Sequence, residues 1–288
     1  MGLIYHYTSI DVLHNILKNY RKEGGNDFIE LWASSIYLLN DPLEMLKAPD
    51  IILSVLLDLE KTLNIEDSIK VSKAFEKDID SIKECFRKLL KRNKYLFIIS
   101  LSNNKDTLPM WSMYTNNGKG VCLCFDKEIL VDYFKQNQDL QTELNPVSYD
   151  FNNLEPSTIN KLRALYKEYI SEMADDCIVD KDSVIDGFRY NFMRVLAPLY
   201  KDSVYRYEGE ERIICTQQLH DDTIDFRVSS NGYIIPYRRI KIPAHSLKSV
   251  IIGPSYNYDL IEDGLRQEII LSHVKIDLEK SIVNYRSI

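Results

Sequence analysis

Two long stretches of helical periodicity, each set between short apolar runs of strand length, limit the possible folds of this chain most. The first stretch covers residues 43–93 and the second covers residues 156–200. The runs beside them, such as Y-L-F-I-I-S-L at residues 95–101, are short and rich in β-branched and aromatic residues. This alternation predicts a single α+β domain over residues 1–288, with helical insertions at about 43–93 and 156–200.

The predicted strands lie at both ends of the chain and between the two insertions. They cover residues 3–7, 28–33, 95–101, 121–125, 146–149, 211–217, 223–228, 233–242, 248–252 and 274–277. Outside the insertions, helices are predicted at residues 9–18, 128–134 and 259–272 because apolar residues recur there at helical spacing.

Composition favours a soluble globular protein. Apolar residues make up 45% of the chain, charged residues make up 27%, and the formal net charge is −7. An acidic chain is not expected to carry a broad nucleic-acid footprint, although a local one is compatible with this charge. No apolar run approaches the length of a membrane span, so we expect no membrane partner. The five cysteines are odd in number and scattered, which predicts free thiols and a cytoplasmic location.

A dense group of charges occupies K-D-S-V-Y-R-Y-E-G-E-E-R-I-I-C, residues 201–215. On a strand, Glu208, Glu210 and Arg212 would share one face, and Glu211 would lie on the other. Two carboxylates so close on one face repel each other, and folding alone gives no reason to keep them, so the segment is a candidate site. The alternative is an exposed strand start with solvated charges and Arg212 as counter-ion.

The common catalytic and cofactor motifs do not occur in this sequence. The G-K-G at residues 118–120 lacks the flanks of a phosphate-binding loop, and the chain has no G-x-S-x-G elbow. The five histidines show no metal-ligand spacing, so we expect no metal. His6 lies between two tyrosines and is by itself equally consistent with a hydrogen-bonded strand histidine. Trp111 and Tyr114 lie on one face of a helical turn. This spacing is compatible with three roles: core residues, residues of a pocket wall, or residues of a site.

Five motifs, in order, carry a resemblance to a known family. They are Y-H-Y-T-S-I-D-V-L-H-N-I-L-K, L-N-D-P-L-E, M-W-S-M-Y-T-N-N-G-K-G-V-C-L-C-F-D, K-D-S-V-Y-R-Y-E-G-E-E-R and V-I-I-G-P. Together they resemble a large bacterial family of unknown function that occurs in prophages and other mobile elements. Tyr205 is one departure, since the family is expected to have tryptophan there.

That family in turn resembles the ADP-ribosyltransferase superfamily, through a strand histidine followed by T-x-x-x-L-x-x-I-L and a late strand glutamate. The resemblance implies a split mixed β-sheet core. It also implies that Glu210 is the catalytic glutamate and that Glu208 orients the acceptor. The residue that packs the nicotinamide stays open among Trp32, Ser34, Tyr37 and Tyr114. The full set of implied cofactor-binding residues is His6, Tyr7, Thr8, Trp32, Ser34, Asn40, Trp111, Tyr114 and Arg212.

The function implied by this resemblance is cleavage of the nicotinamide–ribose bond of NAD, with NAD as the substrate and transfer to an unknown protein or nucleic acid. Such an enzyme would fit a bacterial toxin or anti-phage effector, and an oligomer is compatible with it. The main alternative is a nucleotide-binding or nucleic-acid-binding module with the same fold and no catalysis. A third reading makes the two helical insertions partner-binding surfaces.

Overall fold

The computed structural model describes residues 2–22, 24–25, 27–36, 48–65, 70–73, 96–137, 142–150, 154–174, 180–216, 224–229, 232–254 and 258–285. The chain forms two compact units. The first comprises residues 1–35, 95–145 and 207–288, and the second comprises residues 36–94 and 146–206. The two segments of the second unit contain most of the predicted helical insertions. The single-domain assignment itself stays a prediction.

The structure is mixed α+β with a large mixed sheet. The strands are β1 (Leu3–Thr8), β2 (Phe28–Ser35), β3 (Leu96–Ser102), β4 (Val121–Asp126), β5 (Thr142–Pro146), β6 (Glu210–Thr216), β7 (Ile224–Val228), β8 (Ile234–Pro243), β9 (Leu247–Ile252) and β10 (Asp277–Lys280). The helices with full bounds are α1 (Ile10–Lys22), α2 (Ala48–Leu63), α3 (Leu108–Tyr114), α4 (Lys127–Gln136), α5 (Pro156–Met173), α6 (Lys181–Leu196) and α7 (Tyr258–Ser272).

Most of the described elements agree with the sequence prediction to within a few residues. The two clear differences are β5, predicted at 146–149 and observed at Thr142–Pro146, and β10, predicted at 274–277 and observed at Asp277–Lys280. Both strands are short, and short polar runs such as D-L-E-K have little periodicity that could locate them. The helix predicted from residue 69 to residue 93 lies largely outside the described residues.

The sheet branches at β3. Its main path runs β10-β9-β4-β1-β3-β2-β8-β7, and β6 pairs with both β3 and β5. Along one edge β3 pairs with β6 over its whole length. Along the other edge it pairs with β2 at Phe97 and Ile98, and with β1 at Ser102. Strands β1 and β2 therefore separate from each other along β3, and residues 99–101 face the gap, which we call the fork.

The main core of the first unit lies on one side of the sheet, the core face. Ile4, Leu123 and Ile213 are among its buried strand residues. Buried side chains of α1, α4 and α7 belong to the same cluster. Alternate strand residues point to the opposite face, where Tyr5, Tyr7, Cys122 and Cys124 pack with Trp111 in a smaller cluster.

The described part of the second unit contains α2, α5 and α6 with short turns. Phe188, Phe192 and Leu196 of α6 are buried, as predicted for the core stripe of this helix. Glu60 of α2 is also buried and accepts hydrogen bonds from Tyr166 Oη at 2.7 Å and from the backbone N of Ser72 at 2.9 Å. The other residues of the stripe on α6, Val184, Ile185 and Val195, are only partly buried, so the reading of this helix as a partner-binding surface stays a prediction.

Candidate functional site

A tight turn at Gly209 separates Glu208 from Glu210. Glu208 ends the 3₁₀ turn Ser203–Glu208, whereas Glu210 is the first residue of β6. Gly209 has a φ of +50°, and a Cβ atom there would lie 2.9 Å from Asn104 Nδ2. Glycine is required by both the conformation and the space. The prediction that Glu208 shares a strand face with Glu210 is therefore wrong, because the strand starts two residues later.

Glu210 and Arg212 form a buried ion pair on the opposite face of the sheet. Arg212 Nε lies 2.9 Å from Glu210 Oε1, and Arg212 Nη2 lies 2.9 Å from Oε2. The two side chains are 3% and 0% exposed, respectively. This bidentate geometry is the strongest form of the arginine–carboxylate interaction. Arg212 is thus the counter-ion of Glu210, as expected if the segment is only a charged strand start. That interpretation expected solvated charges, whereas the two charges are buried.

The second carboxylate, Glu208, is also buried and accepts a hydrogen bond of 2.7 Å from Tyr114 Oη. Burial raises the pKa of the Tyr114 hydroxyl, and the charges of Glu208 and Glu210 raise it further. The phenol therefore stays protonated at physiological pH and acts as a donor. Since both carboxylates act on the same hydroxyl, we treat Tyr114, Glu208, Glu210 and Arg212 as one group, the carboxylate cluster.

Strand β3 anchors the turn that carries these carboxylates. Ser102 is the register partner of Glu210, and its hydroxyl donates to the backbone carbonyl of Glu208 at 2.5 Å. The same hydroxyl accepts from the backbone N of Asn104 at 3.0 Å. Asn104 Nδ2 in turn donates to the carbonyl of Tyr207 at 2.6 Å. These bonds hold the backbone on both sides of Gly209, so the two carboxylates have fixed positions.

Helix α3 is positioned by Trp111, which brings Tyr114 to the cluster. Trp111 is fully buried, and its ring meets the ring of Tyr7 edge to face at a centroid distance of 5.0 Å. Its Nε1 donates to Asp106 Oδ1 at 2.6 Å. Tyr7 Oη donates to the carbonyl of Asn104 at 2.8 Å. Trp111 and Tyr7 are therefore wall residues that orient α3.

Glu211 points to the core face, away from the cluster. It is buried, pairs with Lys127 at the start of α4 and accepts from Asn103 Nδ2 at 2.9 Å. Its register partner on β3 is Leu101, a residue of the main core. This third carboxylate provides a natural comparison for the other two, since it is equally buried on the same strand.

His6 lies at the fork and belongs to the core face. The register pairs it with Leu123, whereas its neighbour Tyr5 pairs with Ser102 and thus shares a face with Glu210. His6 Nδ1 lies 2.9 Å from the carbonyl oxygen of Ser100, which can only accept, so Nδ1 carries the hydrogen. Burial lowers the pKa of His6, and the bond to Ser100 opposes this only in part. The ring is neutral at pH 7, with Nε2 as an acceptor.

The remaining predicted cofactor-binding residues lie elsewhere or outside the described residues. Trp32 and Ser34 are on the opposite face of β2, where Trp32 stacks on Tyr237 at a centroid distance of 4.5 Å. The backbone of Thr8 packs against the turn at Gly120, where an added Cβ atom would meet its carbonyl oxygen at 2.2 Å. Tyr37 and Asn40 lie outside the described residues.

The structure thus brings together four of the predicted site residues, Tyr114, Glu208, Glu210 and Arg212, and sets Tyr7 and Trp111 beside them. It does not bring His6 to the same face. The sequence reasoning missed Ser102, Asn104 and Gly209, which fix the turn. The run S-N-N-K-D after β3 was a signal for such anchoring, because short polar side chains after a strand commonly bond to nearby backbone.

Comparison with known proteins supports a resemblance to a family of unknown function over part of the chain. Residues 110–213 match the model of a protein of unknown function (DUF2971). No curated protein and no solved structure gives a match. The matched segment contains Trp111, all four residues of the carboxylate cluster, and Glu211.

In the ranges that the structure describes, no group of three or more His, Cys, Asp or Glu side chains could hold a metal ion. None of the helices in those ranges has the length and apolar character needed to cross a bilayer.

Proposed function

We propose that this protein is an NAD-dependent enzyme of the ADP-ribosyltransferase type, which cleaves the nicotinamide–ribose bond at the carboxylate cluster. The observation that supports this most is the pair of buried carboxylates on either side of Gly209, of which Glu208 accepts from the Tyr114 hydroxyl and Glu210 pairs with Arg212. The cost of burying two negative charges side by side is large, and sites that use charge commonly retain such arrangements. The branching of the sheet at β3 is compatible with a split-sheet core.

A fixed carboxylate suits the chemistry of this reaction. Departure of nicotinamide leaves an oxocarbenium-like cation on the ribose, and a carboxylate near it stabilises charge that develops only in the transition state. At about 4 Å and an effective dielectric constant of about 20, one such interaction contributes about 4 kcal/mol. That energy corresponds to roughly a thousandfold in rate.

The two carboxylates have different partners and therefore different roles in this proposal. The bidentate pair with Arg212 fixes the position of Glu210 and offsets part of its charge, so Glu210 acts through fixed position as well as through charge. Glu208 accepts from a phenol that stays protonated, and a carboxylate so placed can take a proton from an incoming acceptor. His6, which the resemblance implies as a ribose-binding residue, lies on the core face and has no role at the carboxylate cluster in this proposal.

A nucleotide-binding module without catalysis is the second candidate function. The bidentate bond from Arg212 supports it, because both carboxylate oxygens of Glu210 already accept hydrogen bonds within the protein. In this alternative, the cluster holds β6 in place and NAD or a related nucleotide binds without being cleaved.

The test measures nicotinamide release from NAD by mass spectrometry, with and without bacterial lysate as a source of acceptor. The variants are Glu208→Gln, Glu210→Gln and Tyr114→Phe, with Glu211→Gln as the matched control because it removes an equally buried charge on the other face. We expect loss of release of at least a hundredfold in Glu208→Gln and Glu210→Gln. We expect a smaller loss in Tyr114→Phe and little change in Glu211→Gln.

Each variant is first compared with the wild type by circular dichroism and thermal unfolding, so that loss of fold is not read as loss of chemistry. Release in folded Glu210→Gln and Glu208→Gln at the wild-type rate would refute the proposal. Saturable NAD binding by the wild type, with no nicotinamide under any condition, would establish the binding module instead.

A further inference from the structure

The opposite face of β2, β8 and β7 presents an aromatic stack on a solvent-facing part of the sheet. Trp32 is partly exposed and lies nearly parallel to Tyr237, with an interplanar angle of 26°. Tyr237 is 5% exposed and supports the tryptophan from the neighbouring strand. On the core face, the adjacent residues Leu31 and Ala33 are buried. The position of Trp32 on the solvent side is therefore not explained by the main core.

Cationic side chains lie along the same face on both sides of Trp32. Arg239 is the register partner of Trp32, and Lys241 follows two residues along β8. In the other direction, Arg227 of β7 donates from Nη2 to Ser34 Oγ at 3.2 Å. We call Trp32, Ser34, Arg227, Tyr237, Arg239 and Lys241 the Trp32 surface.

Two carboxylates also lie on this face, and neither removes its capacity to bind an anion. Asp225 pairs with Arg239 at 2.8 Å, but the two side chains are 45% and 50% exposed. Exposed pairs of this kind contribute about 0–1 kcal/mol, so a phosphate can compete for Arg239. Glu30 is the register partner of Lys241. Among the described residues of this face, the three cations outnumber the two carboxylates, although the whole chain has a net charge of −7.

We infer that the Trp32 surface binds a short stretch of single-stranded nucleic acid, with a base on Trp32 and the phosphates along the cations. Proteins that bind single strands combine an exposed aromatic ring, on which a base stacks, with cations that follow the backbone. A single nucleotide would need cations on one side of the ring only. Here Lys241 and Arg227 lie in opposite directions from Trp32, which suits a strand that continues past it.

This surface shares no residue with the carboxylate cluster, and the inference does not depend on NAD chemistry there. It assigns a ligand class to residues of β7 and β8 that the sequence analysis did not consider. The acidic composition excludes a long track, and the inference requires only a local one.

The two tryptophans of the chain give a direct assay, because Trp111 is fully buried and Trp32 is partly exposed. A base that stacks on Trp32 should quench its fluorescence. The probe is a 5′-labelled single strand of about ten nucleotides, within the site size of small single-strand-binding domains. Binding is followed by quenching and by anisotropy over a range of salt concentrations, with AMP and NAD as competitors.

We expect Trp32→Ala to weaken binding by about 5- to 150-fold, the range measured for loss of one stacked base. Arg227→Gln should lower the slope of log K against log salt by about 0.7, the value for one phosphate contact to a single strand. Arg266→Gln is the matched control, since Arg266 is an exposed cation on α7 that pairs with Glu262. It should leave affinity and salt slope unchanged.

Thermal unfolding checks each variant, and Trp32→Leu, which keeps an apolar side chain over Tyr237 but has no ring for a base, replaces Trp32→Ala if the latter does not fold. The inference is overturned if the wild type neither binds nor is quenched at low salt. It is also overturned if folded Trp32 and Arg227 variants bind as the wild type does, or if AMP or NAD binds as tightly as the oligonucleotide.

Discussion

The buried pair between Glu210 and Arg212 leads to a quantitative prediction about stability. The variant Arg212→Met keeps a long apolar stem but removes the guanidinium that donates two hydrogen bonds of 2.9 Å to Glu210. The carboxylate, 3% exposed, would then lose its cation without gaining water. We therefore expect a much larger effect than for loss of a surface arginine.

The magnitude follows from the energetics of buried charges. Removal of one partner of a buried pair costs about 3–5 kcal/mol because the other charge stays desolvated. For comparison, whole domains are stable by about 5–15 kcal/mol. A loss of this size should lower the melting temperature by roughly 6–20 °C, if each kcal/mol shifts it by about 2–4 °C. Arg266→Met, which breaks an exposed helix pair, should cost no more than about 0.5 kcal/mol.

The assay is urea unfolding of the wild type, Arg212→Met, Glu210→Met and the double variant, which together form a double-mutant cycle. We expect the double variant to be more stable than either single variant, since it removes both charges of the pair together. A coupling energy below about 0.5 kcal/mol would refute the argument. A loss of stability in Arg212→Met no larger than that in Arg266→Met would also refute the argument, because breaking a fully buried ion pair must lower the free energy of unfolding.

Two further predictions concern glycine geometry and pH. Gly120→Ala should destabilise the protein by more than about 2 kcal/mol, because the added methyl would meet a backbone oxygen at 2.2 Å. In Gly187→Ala on α6, the added methyl meets no atom within 4 Å, so this control variant should be more stable than the wild type by about 0.5–1 kcal/mol. Thermal unfolding measures both changes. Lys105 and Ser249 lower the pKa of Glu279, so its contribution to stability is present above the ordinary glutamate pKa and is lost as pH falls through the lowered value. Glu279→Gln should therefore reduce stability at pH 7 and flatten its dependence between about pH 5 and pH 3 in urea titrations, and an unchanged acid limb would contradict this.

The fold class could be predicted because it depends on periodicity that local sequence carries. The strands β3, β4 and β9 are continuous apolar runs, and their bounds differ from the prediction by only one residue at either end. The branching of the sheet could not be derived from those runs. It depends on which edges of β3 meet β1 and β2, and that pairing is set by contacts far apart in the sequence.

The geometry of the candidate site could be predicted in part for a similar reason. Glu208, Glu210 and Arg212 stood out because like charges at short spacing have no folding rationale, and Arg212 does pair with Glu210. The face of each residue depends on where the strand begins, and a 3₁₀ turn before Gly209 changes the assignment of Glu208. A period-2 pattern cannot detect a strand start inside a charged segment, since every residue there is polar.

The extent of the family match separates the two proposals of function. Residues 110–213 contain Tyr114, Glu208, Glu210 and Arg212, whereas Trp32 and Arg239 lie outside the match on either side. If the carboxylate cluster performs the chemistry, proteins that match the same model should share nicotinamide release with this one. If only the Trp32 surface is functional, those proteins need not release nicotinamide, because the family model does not cover the residues of this surface. Assays of one such protein for both activities would therefore test whether the cluster is a shared reaction centre or a shared element of the fold.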